Sequence, residues 1–421
     1  MVKGHQMTLP IIGLKHEEHE VSDWNFKYAD TKYLTHGLHP YPARMIPQIA
    51  SRLMDLYLAG KRNAIVADVF CGSGTVNVEA SLKGFRSVGV DINPFATLLA
   101  SVKVSNLNDF QRLINLRNRI EKELSVYRGG IPKLIPQYKN LGHWFPLNVI
   151  DKLSYLKQIV QSTKSRDLRP LLWIAFANTL IKSSNVDWKS SRYIRVLPKE
   201  KLRERNPNVF GYFRSYLFDI SNRVKQFSEK KKVETLITRS DARQVPLADN
   251  SVDIIITSPP YGEERNTIPY VRWSKLFLLW LGIADTEIPS LEKQALGGNS
   301  KNQTRREDIP SKTFWLAVRG VLEERLNEAL PFMKDYVTAL SEMRRILKPG
   351  AQCCIVIGHR SIQRHLIDMG KVTQELGLYV GFEPEDIFGR SIPKKMIPWT
   401  TPTGETIFDE SIVILRKRKV K

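Results

Sequence analysis

The stretch Ala64-Ile-Val-Ala-Asp-Val-Phe70, followed by Cys71-Gly-Ser-Gly74-Thr75, restricts the fold of this chain more than any other feature. An apolar, β-branched run passes directly into two glycines, and Thr75 to Lys83 then reads as a helix. Backbone must turn sharply there and can approach a ligand closely, because glycine has no Cβ. Arg86-Ser-Val-Gly-Val-Asp91 reads as a second strand and completes a βαβ unit. Further strands are expected at Val252-Asp-Ile-Ile-Ile-Thr257 and Gly350 to Gly358. The latter follows a helix ending in Arg344-Arg-Ile-Leu-Lys348 and a Pro349-Gly350 stop, and extended segments are expected at Leu378 to Phe382 and Ser411 to Arg416. The expected architecture is α/β: an open, mostly parallel sheet with helices on both faces and an antiparallel edge.

The glycine loop limits the ligand. Asp91 ends the second strand seventeen residues beyond Gly74, where a carboxylate accepts hydrogen bonds from two ribose hydroxyls. Asn77 stands where a dinucleotide fingerprint has its third glycine, and no GxxxxGK[ST] loop occurs. A nucleoside cofactor without phosphates fits better than a dinucleotide or a nucleoside triphosphate.

The most informative segment is Ile254-Ile-Ile-Thr-Ser-Pro-Pro-Tyr261-Gly262. Two consecutive prolines cannot continue a central strand, so the chain leaves the sheet rigidly at its carboxyl end, where α/β sheets place their sites. An exocyclic amine on a nucleobase is a poor nucleophile because its lone pair is delocalised into the ring. If Ser258 Oγ and the Pro259 carbonyl accept its two hydrogens, nitrogen is favoured in pyramidal form, and Pro259 and Pro260 hold those acceptors in place. Tyr261 then offers a flat face for a flipped base.

DxFxGxGT followed by GxD resembles the S-adenosylmethionine (SAM) motif of class I methyltransferases, a Rossmann-like fold. Thr-Ser-Pro-Pro-Tyr resembles the motif of bacterial DNA cytosine-N4 methyltransferases. His36-Gly-Leu-His-Pro-Tyr-Pro-Ala-Arg44 is similar to the segment that closes over the methionine end of the cofactor in those enzymes. The resemblance implies cofactor contacts from Pro42, Arg44, Asp68, Phe70, Gly72, Gly74, Thr75, Asp91, Asn93, Asp241 and Ala242, with Asp91 on the ribose and Asp241 beside the adenine. It implies catalytic roles for Ser258, Pro259, Pro260 and Tyr261, with S-adenosylhomocysteine as product. The implied reaction is methylation of the N4 amine of cytosine in duplex DNA, with a cognate restriction endonuclease as a companion. Alternatives are adenine-N6 methylation, an RNA guanine-N2 methyltransferase, and an inactive methyltransferase fold that only binds DNA.

Charge agrees with a polyanionic partner. The chain has 421 residues, with 64 Lys and Arg against 43 Asp and Glu, a formal net charge of +21. Residues 182–232 hold 14 Lys and Arg against 5 Asp and Glu and contain eight aromatics. Basic residues to neutralise phosphate and aromatics to pack or stack are what a nucleic-acid surface needs; the alternative is a solvated helical insertion whose aromatics are its own core. Lys189, Arg192, Arg195, Arg203 and Arg205 are the candidate nucleic-acid contacts. Three divisions are expected: an N-terminal and SAM-binding part over 1–110, an inserted, helical, basic segment over 111–235 for target recognition, and a catalytic part over 236–421. The last contains an insertion at 285–330, expected to be a mobile polar loop.

Other chemistries fit poorly. His16-Glu-Glu-His19 and the pair His36 and His39 lack HExxH spacing and a third ligand, so no metal is expected. The three cysteines, Cys71, Cys353 and Cys354, lack the Pro-Cys context of a carbon-methylating nucleophile, so direct in-line transfer is expected. No apolar run reaches the roughly 20 residues needed to span a bilayer, and the first twenty residues lack a signal core. A cytoplasmic, DNA-associated protein is the expectation.

Overall fold

The computed structural model describes residues 23–107, 109–130, 134–188, 196–203, 205–262, 269–299, 304–392, 400–401, 404–405 and 409–419. Seven strands form one sheet: β1 (Ile65–Asp68), β2 (Arg86–Asp91), β3 (Thr235–Arg239), β4 (Val252–Thr257), β5 (Leu347–Gly358), β6 (Phe382–Ser391) and β7 (Asp409–Lys417). Their spatial order is β3-β2-β1-β4-β5-β7-β6. The first five run parallel, whereas β7 is antiparallel to both β5 and β6. This is the α/β, Rossmann-like architecture expected from the sequence.

Side-chain alternation assigns the two faces. Val66, Ile254, Ile256, Cys354 and Val356 pack with α1 (Pro47–Leu58) and α2 (Thr75–Lys83). Ala67, Ile255, Cys353, Ile355 and Val413 face the other way. There they meet Phe332 and Tyr336 of α9 (Glu323–Ile346) and Leu376 of α10 (Met369–Tyr379). A strand buried on both sides must be apolar at every position, which is why these runs read as continuous. The adjacent cysteines therefore lie on opposite faces, and burial pushes both thiols up.

Between β2 and β3 the chain builds a helical layer. Its helices are α3 (Pro94–Lys103), α4 (Phe110–Ser125), α5 (Leu147–Ser162), α6 (Leu168–Ser183) and α7 (Val209–Lys230). Helix α6 is buried without interruption from Leu171 to Leu180. On α7, Phe213, Leu217, Ile220, Val224 and Phe227 form one buried stripe. The same core takes in α8 (Tyr270–Leu281), which follows the Pro-Pro-Tyr segment. The helical layer is thus fastened to the site by shared core packing.

Three local expectations are corrected. Leu378 and Tyr379 end α10 instead of starting a strand; Gly381, at φ +95°, turns the chain before β6 begins at Phe382. The Pro349-Gly350 pair lies inside β5, whose register jumps from Leu347 to Gln352 while β4 advances from Val252 to Ile254. Gly350 at φ +79° accommodates that bulge. In the 285–330 insertion, Leu296, Ile309, Phe314 and Val318 are buried in the sheet core, so the described part of it is a packed wall. Residues 300–303 lie outside the described residues. Among the described residues no helix is long and apolar enough to cross a membrane.

Candidate active site

The carboxyl ends of β1, β2 and β4 converge on one pocket. Gly72 and Gly74 have φ of +47° and +78°, the left-handed region that favours glycine. A Cβ on Gly74 would meet the Ala100 Cβ at 2.9 Å, so α3 also requires a glycine there. Phe70, Gly72 and Thr75 line the pocket; Gly74 does not, and instead caps α2 behind it.

Asp91 stands at the end of β2 with each carboxylate oxygen already held by backbone. Oδ2 accepts from the Gly72 N–H at 2.9 Å and Oδ1 from the Asn93 N–H at 2.8 Å. Burial raises its carboxyl to about 6 against the lowering effect of those two donors. Asp68 accepts from the Thr257 hydroxyl at 2.6 Å and from the Phe70 N–H at 3.2 Å, and burial raises it to about 7. Asn93 lines the pocket, but its Oδ1 caps α3 at the Phe95 N–H and its amide reaches Ser274, so it orders the rim.

Asp241 and Ala242 lie on the far wall. Arg243 clasps the Asp241 carboxylate, with Nη2 2.6 Å from Oδ2, and extends a second bridge to Asp335 at 2.8 Å. Asp335 also accepts from the Gly297 N–H at 2.8 Å, and Arg243 donates to the Gln294 carbonyl at 2.8 Å. That network fixes Gln294, Ala295 and Leu296 as pocket wall. No local sequence pattern marks this wall, which is assembled by contacts between distant segments.

Upstream, Arg44 lines the pocket and donates to the His36 carbonyl, whereas Pro42 does not line it. Tyr41 stacks on Tyr270 with ring centroids 6.1 Å apart, and both face the pocket. His36 Nε2 lies 2.8 Å from Glu79, which also accepts from the Tyr33 hydroxyl at 2.6 Å. Beneath the glycine loop the fully buried Lys103 donates to Ser73 at 2.9 Å, and burial lowers its ammonium well below the usual range. Neither Lys103 nor Tyr270 was legible as a site residue. Among the described residues no group of three His, Cys, Asp or Glu is arranged to hold a metal ion.

At the end of β4, the Ser258 hydroxyl donates to the Val356 carbonyl of β5 at 2.9 Å. That bond takes its hydrogen, and Oγ also meets the Tyr261 side chain, which leaves a lone pair as acceptor. Ser258, Pro260 and Gly262 line the pocket, while Pro259 is buried behind them. The Tyr261 hydroxyl donates to Glu410 at 2.7 Å, and its ring packs, partly buried, against the sheet core instead of lining the pocket, which corrects the expectation of an open face in this state. Residues 263–268 lie outside the described residues.

No family model matches the chain. Type II methyltransferase M.MvaI of Kocuria varians is 28% identical over 417 residues, covering 92% of this chain and 91% of that one. M.BsoBI of Geobacillus stearothermophilus is 22% identical, covering 86% and 81%. M.MjaII of Methanocaldococcus jannaschii is 33% identical, covering 53% of this chain and 43% of that one. The chain is similar to these type II methyltransferases. Among solved structures, a putative class I SAM-dependent methyltransferase of Listeria monocytogenes aligns with a TM-score of 0.35 at 11% identity, covering 89% of this chain and 60% of that one.

The described part of the basic segment over 182–232 packs into the helical layer. Of its aromatics, Phe213 and Phe227 are fully buried, and Trp188 packs edge-on against Trp273 while its indole N–H donates to Ser184. These three rings pack within the protein, as in an insertion with its own aromatic core. Phe218 is exposed, beneath the Arg117 guanidinium. Arg205 folds back to donate to the Lys182 carbonyl, whereas Arg203 is exposed. Lys189, Arg192 and Arg195 lie outside the described residues.

Proposed function

We propose that this protein is a SAM-dependent DNA methyltransferase that methylates the exocyclic N4 amine of cytosine in duplex DNA, protecting it from a cognate restriction endonuclease. The Ser258 arrangement carries the proposal. Oγ opens on the pocket beside the glycine loop with its hydrogen already used, as an acceptor for an amine N–H should be.

The pocket's charges fit the cofactor. Asp68, Asp91 and Asp241 line it against one arginine, Arg44. Three carboxylates repel a pyrophosphate but accept ribose hydroxyls and an adenine amine, and they favour a cation. Asp91 would hold the ribose, Asp241 the adenine amine, and Arg44 the carboxylate of the methionine end. When bound, SAM supplies an electrophilic methyl group on a cationic sulfur.

The chain's own part is orientation. Ser258 Oγ and the Pro259 carbonyl accept the two amine hydrogens and aim the nitrogen lone pair into the pocket, and Tyr261 offers a face to the base. Ser258 is uncharged, so the site relies on geometry more than on a negative charge, and the amine proton leaves to solvent after transfer. Carbon methylation needs a thiolate, but Cys71, Cys353 and Cys354 are all buried with their thiols pushed up.

The test is nucleoside digestion and mass spectrometry of DNA from an expressing host. N4-methylcytosine is the expected product. N6-methyladenine would move the target base and keep the mechanism, whereas 5-methylcytosine would keep the base and overturn the mechanism.

A further inference from the structure

Two prolines fix the backbone ahead of Tyr261, but they do not set its side-chain torsions. Packing against the sheet core holds the ring, and its hydroxyl is held from two strands away. Glu410, at the start of β7, is opposite Gly358 of β5 and opposite Arg390 of β6. One of its oxygens accepts from the Tyr261 hydroxyl at 2.7 Å, and the other is paired with the Arg390 guanidinium. Glu410 and Arg390 are both buried, with 9% and 6% of their surface exposed. Burying such a pair is costly, and replacing it with packed apolar side chains is often neutral or stabilising. Stability alone therefore gives little reason for a charged pair here, at the end of the sheet where the pocket opens.

We propose that Glu410, held in place by Arg390, is a positioning residue for the target base, acting through the Tyr261 hydroxyl. This rests on the reading of Tyr261 as the face on which an extruded base stacks. The carboxylate does two things. It locks the ring plane beside Ser258, so the base is presented with its amine at the acceptor. It also places a negative charge at the rim of the ring, which favours a base that becomes cationic when its amine gains a methyl group and before the proton departs. Arg390 prevents the carboxylate from swinging away.

The test measures incorporation of labelled methyl groups from SAM into unmethylated bacterial genomic DNA, so no knowledge of the recognition sequence is needed. Tyr261→Phe removes only the hydroxyl and leaves the ion pair in place. It is expected to lower kcat about tenfold with SAM affinity unchanged, as is Glu410→Gln, the scale of one charge-assisted hydrogen bond. The double variant should lose no more than the worse single one, because both act through one contact. Wild-type kcat in Tyr261→Phe overturns the proposal even if Glu410→Gln fails to fold. Losses that multiply in the double variant overturn it too, since Glu410 would then be acting elsewhere. Tyr261→Ala separates the two levels. If it is fully active, the stacking reading itself falls; if it is inactive while Tyr261→Phe and Glu410→Gln are active, only the positioning role falls.

Discussion

The Ser258 hydroxyl and the Val356 carbonyl, 2.9 Å apart across the β4–β5 pair, decide what the Ser-Pro-Pro-Tyr segment can do. A free hydroxyl would rotate between donor and acceptor roles; this one is held as an acceptor by a strand on the neighbouring side of the sheet. Ser258→Ala should cut kcat by about a hundredfold or more, the scale seen when one preorganised polar group is removed from a transition state. SAM affinity, measured by calorimetry, should stay within about twofold, because no cofactor contact is assigned to Ser258. Equal loss of both would mean that Ser258 belongs to the cofactor site.

Cofactor affinity should depend on pH through Asp91. Burial raises its carboxyl to about 6, above the usual 3.8, so the folded protein without cofactor retains this proton where the unfolded chain has lost it. The sign follows: stability from this group is fully present below about 4 and falls as pH rises through 6. Ribose hydroxyls need the ionised form, so SAM binding should instead strengthen as pH rises. Affinity at pH 5 should be about tenfold weaker than at pH 7.5, by one unit of protonation linkage. Asp91→Asn should bind weakly and without that slope. Asp68, raised to about 7, already accepts from Thr257 and Phe70, so Asp68→Asn should keep the slope.

Gly74→Ala should destabilise the fold by about 1–3 kcal/mol, the usual cost of a left-handed non-glycine residue, with a further loss from the clash at Ala100. Its new Cβ would lie 2.9 Å from the Ala100 Cβ. Ala100→Gly in the same chain should recover the steric part and leave the backbone part. Thermal unfolding of the two variants would separate them, and full recovery would remove backbone strain from the account.

These sites differ in how much of them the sequence reveals. Gly72, Gly74, Asp91 and Ser258 are legible because a local pattern, strand then turn then helix, fixes both residue type and position. The expected β4 matches its observed bounds because Ile254, Ile255 and Ile256, buried on alternating faces, form a short β-branched run. Glu410 is invisible by the same logic: it is 149 residues from Tyr261 along the chain and one residue outside the expected terminal strand. The wall at Gln294 to Leu296 depends likewise on Arg243 and Asp335, which no local pattern joins. Phe213, Leu217, Ile220, Val224 and Phe227 are spaced as one helix face, which is why the rings at 213 and 227 are buried while Phe218, off that face, is exposed.

Arg243 should matter to the cofactor site more than a surface arginine would, because it joins Asp241, Asp335 and the Gln294 carbonyl. Arg243→Gln should weaken SAM binding about tenfold, the scale of one lost charge-assisted contact, by freeing both Asp241 and the wall beside it. DNA affinity without cofactor should not change. Calorimetry for SAM and anisotropy for DNA would check this, and a variant that loses DNA affinity instead would place Arg243 on the nucleic-acid surface.

The basic segment yields the last prediction, and the structure changes its design. Arg203 and Arg205 differ by only two positions, yet Arg205 is turned inward onto the Lys182 carbonyl, with burial lowering its guanidinium, while Arg203 is exposed. Only a side chain that reaches a phosphate releases counterions, and each such contact adds about 0.9 to the slope of log K against log salt. Arg203→Gln should therefore weaken binding to duplexes of any sequence and flatten that slope by about one, the signature of one lost phosphate contact. Arg205→Gln should leave the slope unchanged and lower the thermal midpoint, since its hydrogen bond ties the start of the basic stretch to the end of α6. Anisotropy titrations of a random duplex across a salt series would measure both. A flattened slope for Arg205→Gln with none for Arg203→Gln would reverse the assignment; an unchanged slope in both would move the phosphate track off this part of the segment.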